Sequence, residues 1–139
     1  MTQIASTLLK DICPAMVIPS KESIKLLETA MLAMPNIVNH VDHVFAKGAY
    51  LRCISMAKGT LITSKRHKTQ HISVVVSGDC TISKEDGTCV RVQGPHVFVT
   101  EPNTKRAIIV HEDTVWMTFH VTDKTEVSEI EKDVIQEDV

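Results

Sequence analysis

From about residue 44 onward the chain is a succession of short β-rich runs with no helical stretch between them. "AYLRCISMAKGTLI", "HISVVVSGDCTISKEDGTCVRVQGPHVFVT" and "KRAIIVHEDTVWMTFHV" carry the β-branched and aromatic residues. Lys58-Gly59, Ser77-Gly78, Asp86-Gly87, Gly94-Pro95 and Glu101-Pro102-Asn103 interrupt them. Glycine and proline at such points turn the chain and end a strand. Short strands at regular spacing, without crossover helices, cover their edges by folding into a sandwich or barrel. A two-residue turn at Asp86-Gly87 predicts a hairpin with Lys84 opposite Cys89 and Cys80 opposite Gln93.

The flanks read differently. Residues 1–45 are expected to be helix and loop. In "PSKESIKLLETAMLAMP", Ser20 or Ser23 can cap a helix and Pro35 stops it. Ile24, Leu27, Met31 and Met34 recur at helical spacing and form one apolar face, a packing role rather than a ligand role. "TDKTEVSEIEKDVIQEDV" reads as a short C-terminal helix capped by Asp123 or Thr125. Val127, Ile130 and Val134 give it a stripe that can dock on the strands or on a second subunit. The expected divisions are 1–45, 46–122 and 123–139, within the single domain that 139 residues favour.

Charge separates along the same lines. Residues 123–139 hold seven acidic and two basic side chains, against a net −2 for the whole chain, so the other 122 residues stand at +3. That balance excludes a binder of long nucleic acid, which would be far more basic, but leaves room for a local anion pocket. No run approaches the roughly 20 apolar residues of a membrane helix. "MTQIASTLLKDICPAM" lacks the basic start and apolar run of a secretory signal. A cytoplasmic location is expected. Cys13, Cys53, Cys80 and Cys89 show no metal-type spacing. In the expected hairpin, Cys80 and Cys89 lie about four residues apart along the ladder, roughly 13 Å, too far for a disulfide. Free, mostly buried thiols are expected.

The chemistry concentrates in "SKRHKTQH". Gly59, five residues, Lys65, one residue, His67, three residues, His71, six residues and Gly78 follow in order. This spacing resembles the first cupin motif, which places a His-x-His pair and a glutamate between two glycines. "VQGPHVFVTEPNTKRAIIVHEDTVWMTFH" is similar to the second cupin half, with Arg106 where a histidine usually stands and Glu112-Asp113-Thr114 beyond it. The resemblance covers residues 44–122. It implies a mainly β fold, a double-stranded β-helix or jelly-roll barrel, with an N-terminal helical segment and a short C-terminal helix. Together with the flanks, the chain is similar to a narrower group, small cupin-like proteins often encoded by tailed bacteriophages. The host cytoplasm is the location that this implies.

The departures from the family pattern decide the expected chemistry. The metal-ligand positions are occupied by Lys65, His67, His71 (or Gln70, if the spacing slips by one) and Arg106. Two cations within ~5 Å would repel a divalent ion by several kcal/mol even at an effective dielectric near 20. No metal is therefore favoured. On a regular strand Lys65, His67 and His71 share a face, with Arg66 and Lys68 pointing away. Arg106 in the family register joins them, with Lys105 beside it and Tyr50 at the mouth. Arginine and lysine suit a carboxylate or phosphate. The alternative is that Glu101, Glu112 or Asp113 neutralises the cluster from within.

The leading expectation is a non-catalytic protein binding a small anionic, phosphate- or nucleotide-like ligand, and in a phage setting sequestering a host defence signal. A second is a metal-dependent isomerase, lyase or dioxygenase holding zinc, iron or manganese on His67, His71 and His111 or Gln70. Alternation from Arg106, however, puts His111 on the opposite sheet face. A third is a structural protein with a vestigial, filled pocket. Trp116 and Phe119 read as core or rim aromatics, and His40, His43, His96 and His120 as surface, turn or contact residues. Cys53 has no evident activating partner, and no phosphate loop or nucleophile triad is present. A homo-oligomer, at least a dimer, is expected.

Overall fold

The computed structural model describes residues 21–33 and 38–136. Ser20, Met34, Pro35 and Cys13 lie outside them. In chain order the elements are α1 (Lys21–Leu32), β1 (His40–Ala46), β2 (Ala49–Met56), β3 (Leu61–Thr63), β4 (Arg66–His67), β5 (His71–Lys84), β6 (Cys89–Gln93), β7 (His96–Thr100), β8 (Arg106–His120), α2 (Val127–Val134) and β9 (Ile135–Gln136). Seven strands form one antiparallel sheet, and β4 pairs with β9 in a second, two-stranded one. The protein is a mainly β jelly roll, and its sheets do not close into a continuous hydrogen-bonded barrel.

Two long strands organise it. β5 and β8 pair along their whole length, with register shifts between Val75 and Cys80. Such irregularities bend a ribbon. On one side of the bend, β2 and β7 flank the pair, Arg52 lying opposite Thr118 and Ser73 opposite Phe98. On the other side, β3 and β6 flank it. The inner face of the ribbon carries the main core, built on Ile54, Met56, Val75, Ile82, Ile108 and Trp116.

α1 explains why Ala107 and Ile109 are buried as well as Ile108 and Val110. Ile24 and Leu27 pack onto Leu61, Ala107 and Ile109, so this half of β8 is covered on both faces. Glu28 locks the contact, accepting from Thr63 Oγ1 at 2.9 Å and pairing with Lys105 Nζ at 2.9 Å. α2 docks through Ile130 and Val134 onto Tyr50 as its stripe predicts, whereas Val127 is half-buried. Its N-cap is Glu126, extended and without a side-chain cap bond, not Asp123 or Thr125.

Three expectations need correction. The segment up to 45 contributes a strand, β1, which pairs with β2 along the sheet edge. The hairpin is shifted by one residue, with Ser83 opposite Cys89 and Cys80 opposite Val92. The cause is a wider turn. Lys84 N–H donates to Thr88 O at 2.9 Å, Gly87 takes φ 93°, and Asp86 Oδ1 accepts from Thr88 N–H at 2.9 Å. Finally, Cys53 and Cys80 are free thiols, but Cys89 is disulfide-bonded, so free cysteines throughout is wrong at that position. Burial first, then a neighbouring carboxylate, raises both free thiols, Cys80 to about 11, which leaves neither a ready nucleophile.

Candidate functional site

The bend leaves a cavity of about 240 Å³ between the inner face of β2, β5 and β8 and the docked α2. Its floor is apolar, with Ile54, Met56, Ile108 and Trp116. Its rim is polar, and the sequence supplies it by strand parity. Arg106, Trp116, Thr118 and His120 are even-numbered residues of β8 and face inward together. Arg52 reaches the same space from β2, opposite Thr118. His71 opens β5, and His67 stands on the short β4 that β9 holds in place.

Three imidazoles therefore meet. Ring centroids are 4.4 Å apart for His67 and His71, 4.7 Å for His71 and His120, and 5.4 Å for His67 and His120. One nitrogen from each lies within 4.8 Å of the others. Two of the rings are oriented by the backbone. His67 Nδ1 stands 3.1 Å from Lys65 O, and His71 Nδ1 3.4 Å from Thr69 O. A carbonyl only accepts, so both rings donate from Nδ1 and keep the Nε2 lone pair free. His120 is 6% exposed, and its Nδ1 has no partner among the described residues. Burial, then its histidine neighbours, hold His67 down to about 4, and burial, His71 and Arg52 hold His120 down to about 4. Burial also lowers His71. At neutral pH all three are uncharged.

Arg106 is the buried charge in this cavity. It is 5% exposed and lies 5.5 Å over both Phe98 and Trp116. Its Nη2 donates to Thr100 Oγ1 at 2.7 Å, while Nε and Nη1 have no partner among the described residues. Burial lowers it to about 10, so it stays a cation at pH 7. No ion pair among the described residues neutralises it.

The residues singled out by sequence sort as follows. Tyr50, Lys65, His67, His71 and Arg106 line the cavity. Tyr50 is buried and bonded to His43 Nδ1 at 2.6 Å. Lys65 sits at the rim with its side chain 68% exposed, 4.0 Å from Glu131. Gln70 does not enter, being exposed and bonded to Glu101 at 3.0 Å. Lys105 does not enter either. Its ammonium turns toward Glu28 under α1, because consecutive residues 105 and 106 of extended chain point to opposite sides. His111 points away, 2.6 Å from Thr81, so it cannot be the third ligand of the His67–His71 pair. Arg66 does point away from the cavity as alternation predicts, and it is buried in a two-point contact with Glu85 at 2.7 and 3.0 Å. Glu101, Glu112 and Asp113 do not reach the cluster. Glu112 pairs with Lys58 Nζ at 3.5 Å, and Asp113 accepts from Lys58 N–H at 2.8 Å. Sequence reasoning missed His120, Arg52 and Glu131, which also line the cavity. The filled interior of a vestigial pocket is not what the cavity shows.

No family model matches the chain, and no curated relative does. Solved structures do share its fold. A cupin-family protein of Methanocaldococcus jannaschii with a double-stranded β-helix aligns over 65% of this chain and 85% of its own, at 12% identity and TM-score 0.51. A Klebsiella pneumoniae protein with a double-stranded β-helix domain covers 65% and 89%, at 15% identity and TM-score 0.52. The cupin domain of an Enterobacter cloacae transcriptional regulator covers 63% and 100%, at 17% identity and TM-score 0.52. No helix among the described residues is long and apolar enough to cross a membrane. At these identities the likeness assigns the fold, and the chain has the cupin-type double-stranded β-helix that its motif spacing implied.

Proposed function

We propose that the protein is a non-catalytic binder of a small anionic molecule, held in the cavity beside Arg106. The observation that carries this is a buried guanidinium with two nitrogens that find no hydrogen-bond partner, and no neutralising carboxylate, among the described residues. An unmade hydrogen bond on a buried charged group costs about 1–3 kcal/mol or more, and a buried unpaired charge costs more still. A carboxylate or phosphate answers both, and arginine suits it by geometry. Arg52 and Lys65 add positive charge around the same space, against one carboxylate among the described residues, Glu131. The cavity volume, about 240 Å³, falls just under the usual range of ligand sites. A compact carboxylic acid or sugar phosphate fits it with less displacement than a dinucleotide. In the phage setting that the sequence resemblance implies, the protein would sequester such a molecule.

The test is melting temperature across a panel of inorganic phosphate, sugar phosphates, dicarboxylates, mononucleotides and dinucleotides. A specific anion at a hundredfold excess over its dissociation constant should stabilise by about 2.7 kcal/mol. Arg106→Met should fold as well as the parent, since it removes an unpaired buried charge, yet lose the anion-dependent shift. Identical shifts in parent and variant, or none in the parent with any anion, would refute the reading.

A second copy of the chain is the partner that the outer sheet face favours. Val99, Ile72, Phe119, Leu51 and Val44 lie side by side across five strands, uninterrupted by charge. Four of them are 40–53% exposed. A flat apolar row of this kind can pair with its own twofold copy. Sedimentation should show a dimer that Ile72→Glu with Phe119→Glu converts to folded monomer. A monomeric parent across the concentration series would rule the dimer out.

A further inference from the structure

We infer that His67, His71 and His120 form a binding site for one borderline divalent metal ion, zinc or nickel class. The site shares His67 and His71 with the ligand set that the family motif would supply and takes its third member, His120, from outside that motif. That set, Lys65, His67, His71 and Arg106, does not fit a metal, because two of its members are cations. The structure resolves the difficulty in two ways. Lys65 is carried to the rim, 68% exposed, and does not crowd the histidines. His120, from the far end of β8, brings a third neutral nitrogen to the pair.

The geometry is close to what an ion needs. Zinc–nitrogen bonds of about 2.0–2.1 Å put tetrahedral ligand nitrogens roughly 3.3 Å apart. The three nitrogens now lie within 4.8 Å of one another, so they must draw in by about 1.5 Å at most, a modest side-chain rotation. His67 and His71 already donate Nδ1–H to backbone carbonyls, the orientation that presents Nε2 to a metal. The independent observation is His120 itself, nine-tenths buried with an unpartnered Nδ1 against two other rings. Three neutral imidazoles without a carboxylate suit zinc, nickel, copper or iron and disfavour magnesium and calcium. Three protein ligands leave the fourth position to the cavity.

Arg106 lies on that same cavity, and its charge opposes a bare dication. An anion on the fourth position, beside Arg106, would offset both charges. This part rests on the anion-binding reading, and the metal site does not.

The experiment uses tag-free protein stripped with chelator and titrated calorimetrically with zinc, nickel, magnesium and calcium chlorides. One equivalent of zinc or nickel should bind, and neither magnesium nor calcium. His120→Ala should weaken zinc binding by about 100-fold or more, since even losing a group that merely orients a ligand costs 10–100-fold. His120→Gln serves as the second variant should alanine perturb folding. His111→Ala should bind as the parent does. Arg106→Met should bind zinc at least as tightly, so failure of the anion reading leaves this result standing. Bound cobalt should show the intense visible bands of a tetrahedral site. No stoichiometric zinc in the parent, or equal losses in the His120 and His111 variants, would overturn the assignment.

Discussion

Gly78→Ala should cost the fold about 3–5 kcal/mol, a large share of the 5–15 kcal/mol by which domains of this size are stable. Gly78 sits at φ 108°, in a region that residues with a side chain rarely adopt. Strain of that kind is worth about 1–3 kcal/mol. It also lies where β5 bends against β8. A Cβ there would meet Thr114 Oγ1, and would stand 2.6 Å from both Asp113 O and Thr114 Cα. The last two are backbone atoms, not the end of a flexible side chain, so the sheet itself must shift, adding about 1–3 kcal/mol. Thr114 Oγ1 accepts from Asp79 N–H at 3.2 Å and donates to Glu112 O at 2.8 Å, so the displacement would also break the bonds that hold the bend. Gly48→Ala is the internal control. Gly48 takes φ 81°, but its Cβ would find nothing nearer than Asp123 Oδ1 at 4.0 Å. Urea unfolding of the two variants separates strain from collision. Gly48→Ala should lose about 1 kcal/mol, the low end of backbone strain. Equal losses in both would remove the steric argument for the bend.

That glycine shows how the sequence speaks and where it stops. Its place in the motif spacing was readable, while the reason for it, a strand crossing at van der Waals contact, is a tertiary fact. The same division runs through the fold. Turn dipeptides marked the strands of residues 49–120, because glycine and proline act locally. β1 escaped notice because "HVDHVFA" lies on the sheet edge with almost no buried residue, so alternation leaves no signal. In the site, His67 and His71 were visible through spacing. His120 was missed, although the parity that turned His111 outward from Arg106 turns His120 inward. Lys105 misled because burial alone does not say which cover a side chain lies under, and α1 supplied a carboxylate 77 residues away in sequence. Glu131 could not be placed at all without knowing where α2 docks.

Acid should destabilise the metal-free protein from about pH 6.5 downward, through its buried histidines. His67 and His120 have folded-state values near 4, lowered from 6.5 chiefly by burial. In the unfolded chain both take up a proton near pH 6.5. Between these values the unfolded state binds more protons, so stability is complete above about pH 6.5 and falls as pH drops toward 4. The groups facing the cluster reinforce the direction. Arg106 and Arg52 oppose a second positive charge, while Glu131, paired with exposed Lys65, is the one carboxylate lining the cavity among the described residues. Each unit is worth about 1.4 kcal/mol, so the deeply buried His120 should account for about 2 kcal/mol between pH 6.5 and 5, and half-buried His67 for less. Asp79 titrates elsewhere. Arg91 holds it down to about 2, so its stabilisation is complete above the ordinary carboxylate range and is lost progressively as pH falls from 3.8 through about 2. Urea midpoints measured at pH 7, 6 and 5 in chelator should therefore fall steadily in the parent, and clearly less in His120→Gln. An anion bound beside Arg106 would oppose the fall by favouring the protonated rings, whereas zinc on the three nitrogens would steepen it by competing with protons. The pH slope with phosphate and with zinc thus reports which occupant the cavity takes, and an unchanged slope in His120→Gln would dissociate the histidine cluster from acid sensitivity altogether.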